Sequence, residues 1–398
     1  MSIRGLRARL VSFMRRTRKG ATLVAASATL AACNVAGPIV SGSGADGVRG
    51  DGPVRVALLV PQGSSRSTDA VVARSLENAA RLAVADLGGG SVTLDVYATQ
   101  GTPAGATSAA NAALAAGAQV ILGPLYADNA AAAGVAAAGS GVPVLSFSNN
   151  TSVAGGNVWV LGNTFENTAR RVLGFAAAQG RNRVLVTHAD DENGRIANAA
   201  VQTAARGSGA QITGAVPYQL SQQGIAAVAP QIVERAEATG TNAVFLTGNT
   251  SGDLPVISAL LSEQGLGDEE TRFLGLTRWD IPTDALSLPG LQGGYFALPD
   301  PGPMAQFNAR YAAAYGTQPH SLASLAYDGV AAIGAIAGQG RTVGRGTLTS
   351  GAGFAGTGGV FRLRGDGTND RALAVAQIVN QQIQVVSPAP NTFGGAGS

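Results

Sequence analysis

VRVALLV (Val54–Val60) is a run of seven residues interrupted by one charge, Arg55. A strand with one wet face alternates apolar and polar residues. This one does not, so both of its faces must be covered, as in a buried parallel sheet. The next segment supplies a cover. In Thr68–Leu87, the residues Val72, Leu76, Ala79, Ala80, Ala83 and Leu87 share one helical face, with Asp69 in the first turn and Gly88 just past the end.

The unit then repeats. Strand-like Val92–Tyr97 precedes helical Ala104–Ala116, Gln119–Leu122 precedes Ala127–Ala138, and Val142–Ser146 follows. Arg183–Thr187 pairs with helix Arg195–Arg206, Gln211–Val216 with Ile225–Ala238, and Ala243–Thr247 with Leu254–Gln264; Arg272–Leu276 closes the series. Strands alternating with crossover helices predict parallel sheets covered on both faces. So many units suit two doubly wound lobes better than one sheet. The alternation breaks near Asn157–Thr164 and again at the Pro- and Gly-rich Leu288–Pro303, which read as crossings between lobes. The tail Gly359–Pro388 alternates in period two. It predicts antiparallel edge strands turned at Asp366-Gly367 and Asn380-Gln381.

The N-terminus has a different logic. Residues 1–20 carry seven cations and no acid, and Ala21–Ala32 carries no charge. That pattern predicts a secretory signal, and a twelve-residue helix of about 18 Å cannot cross a hydrocarbon core of about 30 Å. Leu30-Ala31-Ala32-Cys33 resembles the lipobox of bacterial lipoproteins. The resemblance implies cleavage before Cys33, the only cysteine, and its acylation. An ordinary cleavage site beside a free thiol is the other reading. Several acyl chains, at about 0.8 kcal/mol per buried methylene, would hold the chain to a bilayer. Asn34 stands where lipoproteins retained at the inner membrane often carry Asp, which points to the outer membrane. Asn34–Gly52, rich in Gly and Ser, reads as a tether spanning roughly 24 Å.

Removing the signal changes the charge. The full chain is +3, but without the seven cations 20 basic residues face 24 acidic ones. A mildly acidic protein has no electrostatic case for nucleic acid or for anionic lipid surfaces. Contact with membrane is therefore expected through the lipid alone. About 365 residues remain, enough for two domains.

In open α/β sheets ligands bind beyond the carboxyl ends of strands. The loops there offer candidates for a cleft holding a small polar ligand: Ser64 and Ser65, Tyr126 and Asp128, Ser148, Asn149 and Asn150, Asn193, Asn249, and Arg278 with Trp279. Their hydroxyls and amides also suit turns, which is an equal explanation for Ser64–Ser67 and Gly248–Ser251. Phe147 adds an aromatic face to the Ser146–Thr151 loop, and Arg278-Trp279 joins a cation to a flat apolar surface. His188–Glu192 reads as a solvated loop and His320 as a surface residue. No nucleophile elbow, phosphate loop or paired-histidine zinc motif occurs. No catalytic residue, metal or cofactor is expected.

The ordered segments VRVALLVP, ENAARLAVADL, AQVILGPLYADNA, VPVLSFSNN and ENGRIA resemble type I periplasmic binding proteins such as the receptors for leucine, isoleucine and valine. The resemblance implies two lobes joined by three hinge crossovers that close on a ligand. It assigns 53–160 plus 298–345 to lobe 1 and 161–297 plus 346–398 to lobe 2, behind a signal at 1–32 and a tether at 33–52. The tail, with GVFRLRGDG from Gly359, RALAV from Arg371 and SPAPNTF ending at Phe393, is similar to penicillin-binding-protein activator lipoproteins. Those imply a non-catalytic regulator bound to a peptidoglycan synthase. Plain receptors imply an ABC permease instead, with a branched-chain or other amino acid as ligand. Amino-acid receptors place a serine after the Gly-Pro of the third strand for the ligand carboxylate, and Tyr126-Ala127-Asp128 stand there. Ser148, Asn149 and Asn150 replace the usual Ser or Ala and Thr. Asn193 replaces an aromatic, and Arg278 replaces the acid that meets the ligand ammonium.

Overall fold

The computed structural model describes residues 52–393, so the signal sequence, Cys33 and nearly all of the tether lie outside the described residues. Strand β1 (Val54–Val60) leads to α1 (Asp69–Asp86), β2 (Val92–Ala98), α2 (Pro103–Ala115), β3 (Val120–Leu122), α3 (Ala127–Ala138), β4 (Val144–Ser146) and β5 (Val158–Val160). The five strands are parallel in the order β2-β1-β3-β4-β5, with Val54 opposite Val92.

The apolar run of β1 is spent on two different cores. Val54, Val56, Leu58 and Val60 pack into one cluster with α1, while Ala57 and Leu59 pack with alanines of α2 and α3 on the other face. Side chains of a strand point alternately up and down, so a run apolar on every residue serves helices above and below. The small alanines let α2 and α3 approach closely.

The second lobe repeats the plan. It comprises α4 (Phe165–Ala178), β6 (Arg183–Ala189), α5 (Glu192–Ala205), β7 (Gln211–Tyr218), α6 (Gln222–Ala238), β8 (Ala243–Leu246), α7 (Leu254–Glu263), β9 (Arg272–Gly275) and β10 (Tyr295–Pro299). In β8, Val244 and Leu246 serve one core cluster, Ala243 and Phe245 the other. Asp191 caps α5 by accepting from Gly194 N at 2.7 Å. His188, expected in a solvated loop, is buried at the end of β6, its Nδ1 2.9 Å from Ala189 O.

The chain then returns to the first lobe. Helices α8 (Pro301–Tyr315) and α9 (Ala323–Gly338) pack Phe307, Tyr311, Val330 and Ile333 into the core built on β1. Short α10 (Arg345–Leu348) precedes the antiparallel trio β11 (Phe354–Gly356), β12 (Gly359–Leu363) and β13 (Asn369–Arg371). The sequence division put 346–398 wholly in lobe 2. Leu348, Phe361 and Leu363 instead lie in the first core: side chains alternate along β12, so Phe361 and Leu363 face that core while Val360 packs against the second. Only the hairpin β14 (Leu373–Val379) and β15 (Gln382–Ser387) joins the second sheet, antiparallel to β10, in the order β15-β14-β10-β9-β8-β6-β7.

Asn380 (φ 51°) and Gln381 (φ 64°) form the two-residue turn of that hairpin, both left-handed as such turns require. Gln pays a steric cost there that Gly avoids. Gln381→Gly should therefore raise unfolding stability by about 1 kcal/mol in urea titration.

Three connections join the lobes, between β5 and α4, between β10 and α8, and between β13 and β14. The first and third are tied together. Asn369 Nδ2 donates to Val160 O at 2.7 Å and Gly162 O at 2.9 Å, while its Oδ1 accepts from Asn167 Nδ2 at 2.8 Å. Asp370 accepts from Arg362, Arg364 and, on α4, Arg170.

Candidate functional site

The carboxyl ends of both sheets and all three connections border one cleft of about 900 Å³. From lobe 1 come the start of α1, the loop before α3, the Phe147–Asn150 loop and the start of α9. From lobe 2 come α4 and the Leu276–Ile281 loop.

The lobe 1 wall is organised around Asp69. This carboxylate is 2% exposed, with Oδ1 accepting from the Tyr126 hydroxyl and Oδ2 unpartnered. Burial, with the bond to Asp69, raises the Tyr126 pKa above its ordinary value. The phenol therefore stays a donor at neutral pH. The Arg66 guanidinium lies 4.5 Å from the Tyr126 ring centre, a cation–π contact on the rim.

The Phe147–Asn150 loop is held by its own side chains. Ser146 Oγ donates to Pro124 O and accepts from Ser148 N; Ser148 Oγ accepts from Asn150 N, and Asn150 Oδ1 from Ser152 N. Turn chemistry thus uses the acceptors of Ser148 and Asn150, while Asn149 stands exposed at the cleft. Phe147 is buried beneath them.

The Arg278 guanidinium grips Asp280 with two nitrogens, Nε to Oδ1 at 2.7 Å and Nη2 to Oδ2. Its charge is already matched. Nearby, Asn163 donates to Thr168 Oγ1 at 2.8 Å and leaves its buried Oδ1 unpartnered. Arg371 donates to Leu161 O and Asp328, with Nη2 unpartnered.

His320, expected at the surface, lines this cleft half-buried. Its Nδ1 accepts from Leu322 N at 3.2 Å, which leaves Nε2 to carry the proton of the neutral ring. Burial lowers its pKa below the ordinary 6.5. The unfolded chain takes this proton first as pH falls, so the native state loses stability below about pH 6.5. Urea titrations at pH 7.5 and 5.5 should show a smaller loss for His320→Gln than for the parent. Equal losses would remove His320 from the effect.

The sequence profile of the periplasmic binding protein family matches residues 53–382. The chain belongs to that family. Its fold is similar to a putative branched-chain amino acid ABC transporter protein of Rhodospirillum rubrum, at TM-score 0.70 and 18% identity over 84% of this chain and 100% of that one. It is also similar to a branched-chain amino acid ABC transporter periplasmic ligand-binding protein of Burkholderia xenovorans, at TM-score 0.68 and 18% identity over 85% and 96%. A third is a solute-binding protein of Rhodopseudomonas palustris in complex with 3,4-dihydroxybenzoic acid, at TM-score 0.57 and 18% identity over 86% and 97%. No curated protein sequence matches the chain. Membership places this periplasmic binding protein in the periplasm, with the type I two-lobed fold of leucine and branched-chain amino acid receptors.

Of the sequence candidates, Tyr126, Ser148, Asn149, Asn150 and Arg278 meet in the cleft of this binding protein. The others do not border it. Ser64 Oγ accepts from Arg66 N in a turn and Ser65 is exposed beside it. Asp128 and Asn193 are exposed in the first turns of α3 and α5. Asn249 Oδ1 accepts from Ser251 N, closing its own loop. Trp279 is fully buried against Phe296, ring centres 5.8 Å apart. Asp69, Asn163, His320 and Arg371 are among the cleft residues that local sequence did not offer as ligand contacts. Among the described residues no cluster of His, Cys, Asp or Glu could hold a metal, and no helix is long and apolar enough to cross a membrane.

Proposed function

We propose that this chain is a non-catalytic receptor for a small polar solute, which it carries to an ABC permease. One observation supports this most directly. Asp69 Oδ2, Asn163 Oδ1 and Arg371 Nη2 are buried, lack partners among the described residues and all belong to residues of one cleft. Buried polar atoms are normally satisfied, so a cleft edged by three that are not suits a ligand bearing donors and acceptors. The similar proteins, two of branched-chain amino acid ABC transporters and one in complex with 3,4-dihydroxybenzoic acid, give the first compounds to try. Closure of the lobes would follow from contacts made only in the closed state. Acylation at Cys33 would keep the receptor at the outer membrane.

Thermal melting of the full-length chain with amino acids and hydroxybenzoates tests the reading. A true ligand at a hundred times its Kd adds about 2.7 kcal/mol and raises Tm by several degrees. No shift across the panel would sink it.

A second reading, activation of a peptidoglycan synthase, draws support from two departures. Asp69 and Tyr126 bond to each other in the region where amino-acid receptors hold a carboxylate, and the Arg278–Asp280 pair stands where they hold an ammonium. Capture of a penicillin-binding protein from native envelopes, with no solute shifting Tm, would favour it.

A further inference from the structure

Arg371, a cation of the cleft, has a buried donor with no partner among the described residues. The Arg371 side chain is 9% exposed, stands at the end of β13 and borders the cleft. Nε donates to Leu161 O at 2.8 Å and Nη1 to Asp328 Oδ2 at 3.0 Å. Its guanidinium carbon lies 4.8 Å from the Phe361 ring centre. Nη2 donates to no group among the described residues. A buried guanidinium donor left unsatisfied carries its full desolvation cost, and a ligand oxygen would remove it.

We propose that Nη2 of Arg371 binds a carboxylate oxygen of the solute. The inference rests on the solute-receptor reading above. An ionised acceptor makes the stronger bond to a guanidinium. The other charged donor in the cleft, Arg278, is already engaged by Asp280. The lining also includes Leu276, Pro299, Leu325 and Leu373, a wall suited to a hydrocarbon body. Asp69, whose buried carboxylate belongs to the lobe 1 wall of the cleft, would repel an acid there. The acid end of the solute therefore moves from the lobe 1 loop to the hinge. There it meets a residue that already holds Leu161 of the first connection and Asp328 of α9.

The test uses the full-length chain and matched pairs of carboxylic acids and their primary amides: leucine with leucinamide, 4-methylpentanoate with its amide, and phenylacetate with its amide. Titrations followed by thermal melting give apparent affinities. At least one acid should bind about tenfold or more tighter than its amide, the margin of a charge-assisted bond. Arg371→Lys keeps a cation beside Asp328 but loses the forked donor, and should abolish that preference. Thr357→Val weakens the support of Asp328 outside the cleft lining; it should lower Tm and leave the preference intact. If Arg371→Lys does not fold, the acid-to-amide ratio of the parent decides. Amides binding as well as acids, or a preference surviving in Arg371→Lys, would overturn this inference and leave the receptor reading standing. No shift with any pair would overturn both.

Discussion

Asp328→Ala is expected to lower unfolding stability by about 3–5 kcal/mol, the range for breaking a buried ion pair from one side. Asp328 is completely buried on α9 and fully used: Oδ1 accepts from Thr357 N at 2.7 Å and Thr357 Oγ1 at 3.0 Å, Oδ2 from Arg371 Nη1 at 3.0 Å. Alanine would leave the nine-tenths-buried Arg371 guanidinium without its counter-charge and two Thr357 donors without an acceptor. Replacing both partners, Asp328→Leu with Arg371→Met, should cost less than the sum of the single changes, because no charge is then stranded. Urea titration of the parent, Asp328→Leu, Arg371→Met and the double variant gives the cycle, with Asp328→Ala measured beside them. A loss below about 1 kcal/mol in Asp328→Ala would show that water reaches the pair and that it belongs with surface salt bridges.

That pair also marks the limit of what sequence reveals here. The strands and helices of the βα units are legible because each is a local pattern. VRVALLV has no wet face, and the helix after it shows one apolar stripe. The 380–381 turn is legible because two alternating runs flank it. Helix α9 is not, since ASLAYDGVAAIGAIAG is buried on almost every side and shows no stripe. Helix α8 buries only Phe307 and Tyr311, and its amphipathic signal is correspondingly faint. The cleft is harder still. Asp69 sits where a helix dipole alone would explain an acid, and only the fold brings the Tyr126 hydroxyl to it from 57 residues away. Arg371 belongs to a period-two tail, and its partners Leu161 and Asp328 are 210 and 43 residues distant. Nothing local announces such meetings.

The Arg278-Trp279 pair shows the opposite error, in which a local pattern suggested a ligand surface and packing had another use for it. Gly275 and Gly294 make the room: a Cβ at either would come within 2.4 or 2.5 Å of the indole. The ring fills that space against Phe296, in the core cluster that holds Leu246, Phe273 and Leu291. Trp279→Ala should thus cost about 3–5 kcal/mol of unfolding stability, the range for emptying a large aromatic site. Because Trp279 does not border the cleft, ligand affinity per folded molecule should stay within about twofold, a difference of under half a kcal/mol. Trp159 and Trp279 are the only tryptophans, so the emission lost in Trp279→Phe reports on this core alone. In the parent that signal should move with global unfolding and stay still during solute titration. An indole emission that shifted on solute binding, before any unfolding, would return Trp279 to the cleft.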